Sequence, residues 1–491
     1  MYVADSCHRA VLERTPRMAA QAYPSSDRAL SCTDNTVSTH VGPATSRSQP
    51  PSYNLVLMVR KRAWLSVYAV LVFFTVLSGD TERYALTWFG WGAIILVIFV
   101  VALVILIRAR AHWRLTALPF PLLAFLALAV LSIIWSDYRQ WTVTAAFLSI
   151  VTAVGALSLA VTFTLPQILR LLGHALRIIL AASILFELVV SVFVRHPFTP
   201  WWTDYTGVKI HPAEYWSRDL LLKGDRIQGI MGNSDLLGFV ALLGVIVFAL
   251  EFSSRSMKRG WSGFWIVVAL ADIALTRSAT VFVAAIVVAV AAVVLVLLRR
   301  ARTARSRRTV SLTSIVVVLA GIAAVVVLRA PLLRILGKSG TLTGRTGIWN
   351  EVIAIASERP ILGWGWISYW VPGLAPFNRP EFRIGGIQYL QAHDAWLDLW
   401  LQLGIIGVVV FAAFALGALV RSWALAVDRP QFGAGSAASY EAATLLPVLV
   451  LVALLAQSVA ESRLLIEYGF LLLALFAIKT KRPDPIGALQ G

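Results

Sequence analysis

The chain contains the apolar run ATVFVAAIVVAVAAVVLVLL at residues 279–298, followed directly by RRARTARSRR at residues 299–308. A helix needs about 20 mainly apolar residues to cross the hydrocarbon core of a bilayer, and this run reaches that length without a charged side chain. Arginines that follow such a run are typical of the cytoplasmic side of a membrane. The stretch predicts a transmembrane helix whose C-terminal end faces the cytoplasm.

Similar runs occur along most of the chain. Of the 491 residues, 58% are hydrophobic and 14% are charged, whereas a soluble domain averages about 25% charged residues. The sequence therefore predicts an all-α integral membrane protein of about twelve transmembrane helices. These helices are predicted near residues 63–79, 88–107, 117–135, 142–163, 178–194, 235–252, 262–276, 279–298, 311–328, 396–420, 441–459 and 464–478.

The basic residues predict the orientation of these spans. The net charge of +18 is dispersed in short clusters between apolar segments, which favours a positive-inside membrane protein over a nucleic-acid-binding protein. All the clusters fall on one side of a twelve-span arrangement, so both termini are predicted to be cytoplasmic. The clusters lie near residues 60–62, 108–114, 170–177, 255–259, 299–308, 421–429 and 479–482.

The polar segments define the predicted domains. Residues 1–57 are rich in Ser, Thr, Pro and Arg and predict a disordered tail; Met58 is an alternative start for the chain. Residues 58–482 form the predicted polytopic domain, and residues 483–491 a short cytoplasmic tail. The two cysteines, Cys7 and Cys32, both lie in the first tail and predict no disulfide framework.

Two long loops, at residues 195–234 and 329–395, are predicted outside the cytoplasm, and long loops usually carry function. The first contains Arg226, followed by a Gly-x-x-Gly-Asn sequence at residues 229–233. The second contains Gly344-Arg345, with Trp349 four residues after the arginine, and a Pro-x-x-Gly-x-Gly sequence at residues 360–365. It ends at His393-Asp394, before an apolar helix with Gly-x-x-Gly at residues 404–407.

These motifs resemble those of the O-antigen ligase and polymerase superfamily of bacterial envelope enzymes, over roughly residues 60–480. Ser132 to Ser136 are similar to a further segment of that family, at the end of its third span. The resemblance implies an all-α fold of the GT-C type and a glycosyltransferase. Such an enzyme moves a glycan from a polyprenyl-diphosphate carrier to an acceptor hydroxyl at the outer face of the bacterial cytoplasmic membrane. It implies no cofactor, and Asp394 stands where relatives often have Asn or Ser.

The residue types fit that chemistry. A guanidinium is always charged and binds phosphate oxygens in a fork, so Arg226 and Arg345 are predicted to bind the leaving diphosphate and stabilise its charge. His393 is the predicted general base, because an imidazole with a pKa near about 6.5 can accept the proton of the attacking hydroxyl. Trp349 and Asp394 complete the predicted substrate-binding residues. No metal-ligand spacing occurs near them, which predicts a metal-independent enzyme, and the resemblance implies that this enzyme inverts the anomeric configuration.

Other interpretations stay open from the sequence. Arginines near a membrane also occur as interfacial side chains, and a histidine also occurs at the start of a helix. The sequence does not separate a polymerase, whose acceptor is a second lipid-linked glycan, from a ligase, whose acceptor is a lipid, wall polymer or protein. A transporter or flippase for a glycolipid or small solute is the alternative class. It is disfavoured because the halves show no repeat and the polar residues concentrate in external loops.

Overall fold

The computed structural model describes residues 52–205, 210–327, 345–384, 387–428, 431–432, 436–437 and 440–481. Most of the predicted N-terminal tail, the C-terminal tail and the start of the second predicted loop lie outside the described residues. Residues Leu57–Gly491 group into one compact unit.

The described chain is built almost wholly from helices. Short strands β1 (Arg383–Ile384) and β2 (Ile387–Gln388) form one antiparallel pair, and β3 (Gln431–Phe432) and β4 (Ser436–Ala437) form another. The helices are α1 (Ser52–Leu77), α2 (Gly79–Arg108), α3 (Phe120–Leu131), α4 (Arg139–Thr162), α5 (Leu165–Val189), α6 (Ser234–Ser254), α7 (Arg259–Thr276), α8 (Ala279–Arg300), α9 (Ala304–Val327), α10 (Arg345–Glu358), α11 (Ala395–Val427), α12 (Leu446–Ser458) and α13 (Glu467–Lys481).

Each of the predicted spans overlaps one of these helices, so the all-α membrane fold is confirmed. A helix suits a bilayer because it satisfies its backbone hydrogen bonds within one segment. Among the described residues, 6 helices are long and apolar enough to cross a membrane by length and composition, and the exact number of spans stays a prediction. The six are Gly79–Arg108, Arg139–Thr162, Leu165–Val194, Ser234–Ser254, Ala279–Arg300 and Ala395–Val427.

The adjacent runs at 262–276 and 279–298 form two separate helices, α7 and α8. Arg277, in the left-handed region at φ 46°, ends α7, and the Ser278 side chain caps the start of α8 by accepting from the backbone N–H of Val281. The two-residue connection therefore makes a tight turn.

The second predicted loop contains a small folded layer. Helix α10 packs the buried side chains of Ile348, Val352 and Ile355 against Trp370 and Phe382, and these belong to a hydrophobic cluster separate from the main core. The sequence did not predict α10, because the helix is too short and too polar for a membrane span. This layer lies on the first turns of α11, where the candidate site is found.

Helix α11 is interrupted at Gly404, which adopts φ 65° and ψ −170°. A Cβ at this position would come within 2.1 Å of the backbone oxygen of Ile361, so only glycine fits the space. The segment that approaches so closely is the Pro-x-x-Gly-x-Gly sequence of residues 360–365. The glycine pattern is thus the local requirement of a loop that inserts into a broken helix.

Candidate active site

The inserted loop exchanges hydrogen bonds with α11. The carbonyl oxygens of Leu401 and Gln402, which a continuous helix would give to residues 405 and 406, accept from the N–H groups of Trp364 (3.0 Å) and Gly365 (2.8 Å). The N–H groups of Ile405 and Ile406 donate instead to the oxygens of Pro360 (2.9 Å) and Ile361 (3.4 Å). The exchange satisfies the backbone at the break and fixes the first turns of α11 against residues 360–365.

The segment after α3 holds the other side of this loop. Ser132 Oγ accepts from the N–H of Trp366 at 3.1 Å, and Trp135 Nε1 donates to the oxygen of Leu362 at 3.1 Å. A Cβ on Gly365 would lie 2.6 Å from the Cβ of Ser136. The Ser132–Ser136 motif and the glycine motif therefore form one packed joint, and their roles are structural.

His393 lies immediately before α11, at the end of this framework. Its backbone is in the left-handed region at φ 52°, and the next residue, Asp394, caps the helix. The Asp394 carboxylate accepts from the N–H groups of Trp396 (2.9 Å) and Leu397 (3.0 Å). Asp394 thus positions His393 by fixing the helix start, and its role as a substrate ligand stays a prediction.

The His393 ring contacts a buried carboxylate. Its Nδ1 lies 3.1 Å from both carboxylate oxygens of Glu461, a residue whose side chain is only 6% exposed. A carboxylate only accepts hydrogen bonds, so Nδ1 carries the proton that is shared with it. In the neutral ring the lone pair is then on Nε2, which makes Nε2 the basic atom.

Glu461 joins two of the predicted site residues. Arg345 Nη2 donates to its Oε1 at 2.9 Å, and Gln391 Nε2 donates to its Oε2 at 3.0 Å. Burial by itself would raise the pKa of Glu461, but the attraction of His393, Arg345 and Arg463 outweighs burial and holds the pKa below its ordinary value. Glu461 is thus an ionised partner for both His393 and Arg345.

Trp349 also belongs to this group. It lies on α10 one turn after Arg345, and its Nε1 donates to the backbone oxygen of Ala392 at 3.0 Å. The N–H of Ala392 donates to Asp398 at 3.3 Å, so both backbone polar groups of the residue before His393 are bonded. Trp349 therefore contacts the backbone that carries the histidine, and its role as a substrate-binding residue stays a prediction.

Arg226 is not part of this group. Its Nη2 donates to Asp235 at 2.9 Å and its Nε donates to the oxygen of Thr276 at 3.0 Å. The loop that carries it is anchored by Glu187, which accepts from the N–H groups of Gln228 (2.9 Å) and Gly229 (2.8 Å). The structure thus brings His393, Arg345 and Trp349 together and leaves Arg226 on the α6–α7 side.

A cavity of about 860 Å³ opens beside His393, which is one of its lining residues together with Gln391 and Tyr389. Among the described residues, neither Arg226 nor Arg345 lines it, and its guanidinium groups are those of Arg83 and Arg463. In the same part of the chain, no group of three or more His, Cys, Asp or Glu side chains could hold a metal ion. The charges that face the cavity are therefore those of arginines and carboxylates.

Four of these charged side chains form a closed ring, which we call the α2–α13 ring. Arg83 Nη1 contacts Glu467 Oε1 at 2.8 Å, and Arg83 also pairs with Asp80. Arg463 Nη2 contacts Asp80 Oδ2 at 3.3 Å and pairs with Glu467 as well. The four residues come from the start of α2 and the segment that leads into α13, and all four line the cavity.

The sequence analysis did not identify the two arginines of this ring. One signal was present: Arg83 and Arg463 lie at predicted external ends of spans, where the positive-inside pattern disfavours basic residues. Nor did the sequence analysis single out Glu461. Arginines that depart from the charge pattern, each with an acid nearby in sequence, would have marked this part of the site.

Comparison with known proteins agrees with the geometry. Residues 264–412 match the family described as O-antigen ligase. The exopolysaccharide production protein ExoQ of Rhizobium meliloti (strain 1021) is 28% identical over 192 residues, which cover 37% of this chain and 43% of ExoQ. The match thus spans less than half the length of that relative.

The two matches confirm the resemblance to the O-antigen ligase superfamily, and the family match includes Arg345, Trp349 and His393. The apolar helices support a multi-pass membrane protein, and the names of the matched family and of the relative both refer to the making of polysaccharides. Arg226 and Glu461 lie outside the residues that the family match covers.

Proposed function

We propose that this protein is a membrane glycosyltransferase that moves a glycan from a polyprenyl-diphosphate carrier to an acceptor hydroxyl, with His393 as the general base. The observation that carries the proposal is the contact of His393 Nδ1 with the buried carboxylate of Glu461, at 3.1 Å, in a histidine that lines a large cavity. A carboxylate behind an imidazole fixes its tautomer and stabilises the imidazolium that forms when the ring accepts a proton. That arrangement suits a base that faces a bound substrate.

The proposed step is a single displacement. The acceptor hydroxyl gives its proton to His393 Nε2 while its oxygen forms a bond to the anomeric carbon of the donor glycan. The bond between that carbon and the diphosphate oxygen breaks, and its electron pair leaves with the polyprenyl diphosphate. Because attack and departure occur on opposite faces, the anomeric configuration inverts.

Arg345 is the cation that we propose for the leaving diphosphate. A guanidinium has five N–H donors, so Arg345 can hold Glu461 through Nη2 and still bind a phosphate oxygen. Its side chain is 21% exposed, which leaves part of it accessible. We assign Arg226 to the same diphosphate, at a greater distance from the His393–Glu461 contact. In this mechanism the arginines supply the charge that a metal ion supplies elsewhere.

The location follows from the basic clusters, which we assign to the cytoplasmic face of the bacterial cytoplasmic membrane, together with both termini. The site is then on the outer face. A cysteine in place of the exposed Ala375 tests this in a background without Cys7 and Cys32. An impermeant maleimide should label it in intact cells. Labelling only after lysis would contradict the orientation.

The name of ExoQ makes an exopolysaccharide the product class that we propose. The separate match to the O-antigen ligase family includes His393, the proposed base, and Arg345, a proposed ligand of the diphosphate. Polymerase and ligase reactions both use this chemistry and differ in the acceptor.

The decisive experiment measures glycan transfer by the purified protein from a polyprenyl-diphosphate glycan. His393→Ala should lower the rate by about 10²–10⁴-fold, and His393→Gln should be nearly as slow because an amide does not accept a proton. His211→Ala is the matched control, since His211 lies in the other external loop and is bonded to the N–H of Ala213. Normal turnover by His393→Ala would contradict the assignment of His393 as the general base. Loss of activity with EDTA, restored by a divalent ion, would contradict the metal-independent mechanism.

A further inference from the structure

The cavity beside His393 is lined by many aromatic side chains, next to aliphatic ones. Its lining includes four tyrosines and five tryptophans, namely Tyr84, Tyr205, Tyr369, Tyr389, Trp88, Trp91, Trp141, Trp202 and Trp370. Aromatic faces suit the apolar faces of sugar rings, and Tyr hydroxyls and Trp N–H groups add hydrogen-bonding edges. The cavity volume of about 860 Å³ is large enough for several sugar units.

The charge of the lining disfavours an anionic ligand. The carboxylates of Asp80, Glu214 and Glu467 line the cavity, against the two guanidiniums of Arg83 and Arg463. With His393 neutral, three negative and two positive groups leave one negative charge. A diphosphate is repelled by such a surface more than a neutral ligand is.

The exposure of the side chains in the α2–α13 ring also disfavours an anionic ligand. The side chains of Asp80 and Glu467 are 21% and 14% exposed, whereas those of Arg83 and Arg463 are 5% and 9% exposed. The guanidiniums are already bonded to the carboxylates and lie behind them. The ring therefore offers mainly carboxylate oxygens to the cavity, and these accept hydrogen bonds from hydroxyl groups.

Two tryptophans lie beside the ring, and Trp88 is the exposed one of the pair. Trp88 and Trp91 lie edge to face with their ring centroids 5.9 Å apart, and the Arg83 guanidinium lies 5.2 Å and 5.0 Å from the two rings. The stacking fixes Arg83 from behind. Trp88 remains 58% exposed and faces the cavity, so its ring can contact a bound molecule.

We propose that the acceptor is itself a glycan, and that its uncharged sugar units bind in this cavity between Trp88 and the carboxylates of Asp80 and Glu467. The inference rests on the proposed function, because the group that donates its proton to His393 must enter the cavity that His393 lines. A hydroxyl-rich, uncharged chain fits the aromatic and carboxylate lining. The donor's diphosphate is held outside this surface, by Arg345.

The test measures binding separately from transfer. The protein is the full chain carrying His393→Ala, in lipid nanodiscs, studied by isothermal titration calorimetry. One probe is the free oligosaccharide released by mild acid from the lipid-linked repeat unit of the source cells, which carries neither lipid nor phosphate. The other probe is farnesyl diphosphate, which carries both and no sugar.

Asp80→Asn should weaken oligosaccharide binding by about tenfold, since a hydrogen bond to a charged group is lost. Trp88→Leu should weaken it by about fivefold, while Trp88→Phe keeps a ring face and stays within about twofold. Trp261→Leu is the control, because Trp261 is an exposed tryptophan on α7 outside the cavity lining, and this variant should bind as the parent does. Farnesyl diphosphate binding should be unaffected by Asp80→Asn.

Two results would overturn the inference. One is oligosaccharide binding that neither Asp80→Asn nor Trp88→Leu alters. The other is farnesyl diphosphate binding that Asp80→Asn strengthens and Arg83→Gln abolishes, which would make the ring a phosphate site. Since Asp80→Asn leaves Glu467 as the one carboxylate that Arg83 and Arg463 share within the ring, the melting temperature of this variant is measured alongside, and Trp88→Leu tests the site without changing the ring.

The outcome is distinguishable from that of the proposed function. Normal transfer by His393→Ala would remove the base while leaving the oligosaccharide-binding result intact. Transfer that requires His393, combined with oligosaccharide binding that is insensitive to Trp88 and Asp80, would retain the enzyme and remove the glycan acceptor from this cavity.

Discussion

Two groups of charged side chains lie at the same cavity, the first lining it through His393 alone, and they differ in how the chain assembles them. The first group, His393, Glu461 and Arg345, is centred on one buried carboxylate that holds a histidine. The second, the α2–α13 ring, balances two arginines with two acids and exposes its carboxylates. The comparison teaches that charge is used in two ways here: to tune one basic atom, and to build a polar surface without net charge of its own.

The two groups should therefore fail differently when mutated. Variants of the first group are expected to lower turnover at saturating substrate, because they act on the proton transfer. Variants of the ring are expected to raise the half-saturating concentration of the acceptor, because they act on binding.

The largest effect is expected at Glu461. Glu461→Ala should lower transfer by about 10²-fold or more, since His393 loses the group that fixes its tautomer. Glu461→Gln should also be impaired, because its amide N–H₂ can donate to Nδ1 and favour the wrong tautomer. The measurement is turnover at saturating donor and acceptor, and Glu441→Ala, an exposed acid before α12, is the control. A change in half-saturation alone would place Glu461 with the ring.

The pH dependence of stability gives a second reading of the same residue. The pKa of Glu461 is lowered from its ordinary value of about 4.3, so its ionised form adds stability above that pH. This stability is lost only as the pH falls through the lowered pKa. The melting-temperature difference between the wild type and Glu461→Gln should thus not shrink as the pH falls from about 8 to about 5, because ionised Glu461 also stabilises the protonated form of His393. A difference that shrinks within this range would contradict the ionised state assigned to Glu461.

The next effect is expected at the break in α11. Gly404→Ala places a Cβ against the Ile361 oxygen and should cost about 3 kcal/mol or more, since strain from positive φ adds to the overlap. Gly373→Ala is the matched control, at φ 80° with nothing within 4 Å, and should cost only about 1–2 kcal/mol. Thermal unfolding in detergent compares them.

The same variant separates the two groups. His393 starts the helix that Gly404 interrupts, whereas the ring belongs to α2 and the start of α13. In protein that remains folded, Gly404→Ala should reduce transfer more than oligosaccharide affinity. Equal losses of both would show that the break supports the whole cavity.

A smaller effect is expected for Arg345→Lys. Lysine keeps the positive charge near Glu461 but loses the planar fork, so transfer should fall by about tenfold, less than in Arg345→Ala. Arg379→Lys is the control, because Arg379 pairs with Glu351 and Glu358 on the far side of α10. Full activity of Arg345→Lys would show that charge alone suffices.

The smallest effect is expected from a chain that starts at Met58. Residues 1–57 contain no apolar run or site motif, so the shortened protein should insert and transfer glycan at the rate of the full chain. Immunoblotting of membranes gives the abundance for comparison. Reduced turnover at equal abundance would assign the tail a role.

The sequence predicted what depends on local pattern. Apolar runs predicted the helices because each span forms its backbone hydrogen bonds within its own segment. The motif around residues 345–407 predicted that Arg345, Trp349 and His393 belong to one group. The sequence did not predict the contact of Glu461 with His393, because the two residues are 68 positions apart and form no local motif. Nor did it show that Arg226 pairs with Asp235 at a distance from that group.

The sequence contains the two glycine motifs that meet at the break in α11, but it does not show that they contact each other. Gly363 and Gly404 are required because two backbone segments touch, and only coordinates give that distance. The ring was hidden for a related reason: Arg83 and Glu467 are 384 residues apart, and their partnership depends on how distant spans pack.

The loop inserted into α11 also bears on how the protein is made. At the break, the carbonyl oxygens of residues 401 and 402 and the N–H groups of residues 405 and 406 are bonded by residues 360–365. These residues precede them in synthesis and, in the orientation proposed above, must already have crossed to the outer side. A newly made span from 395 onward cannot complete its backbone hydrogen bonds alone in lipid, where each unsatisfied group is costly. In this orientation, biogenesis thus requires an order. Residues 360–365 are translocated first, and the span from 395 onward inserts stably only when they can pair with its free backbone groups.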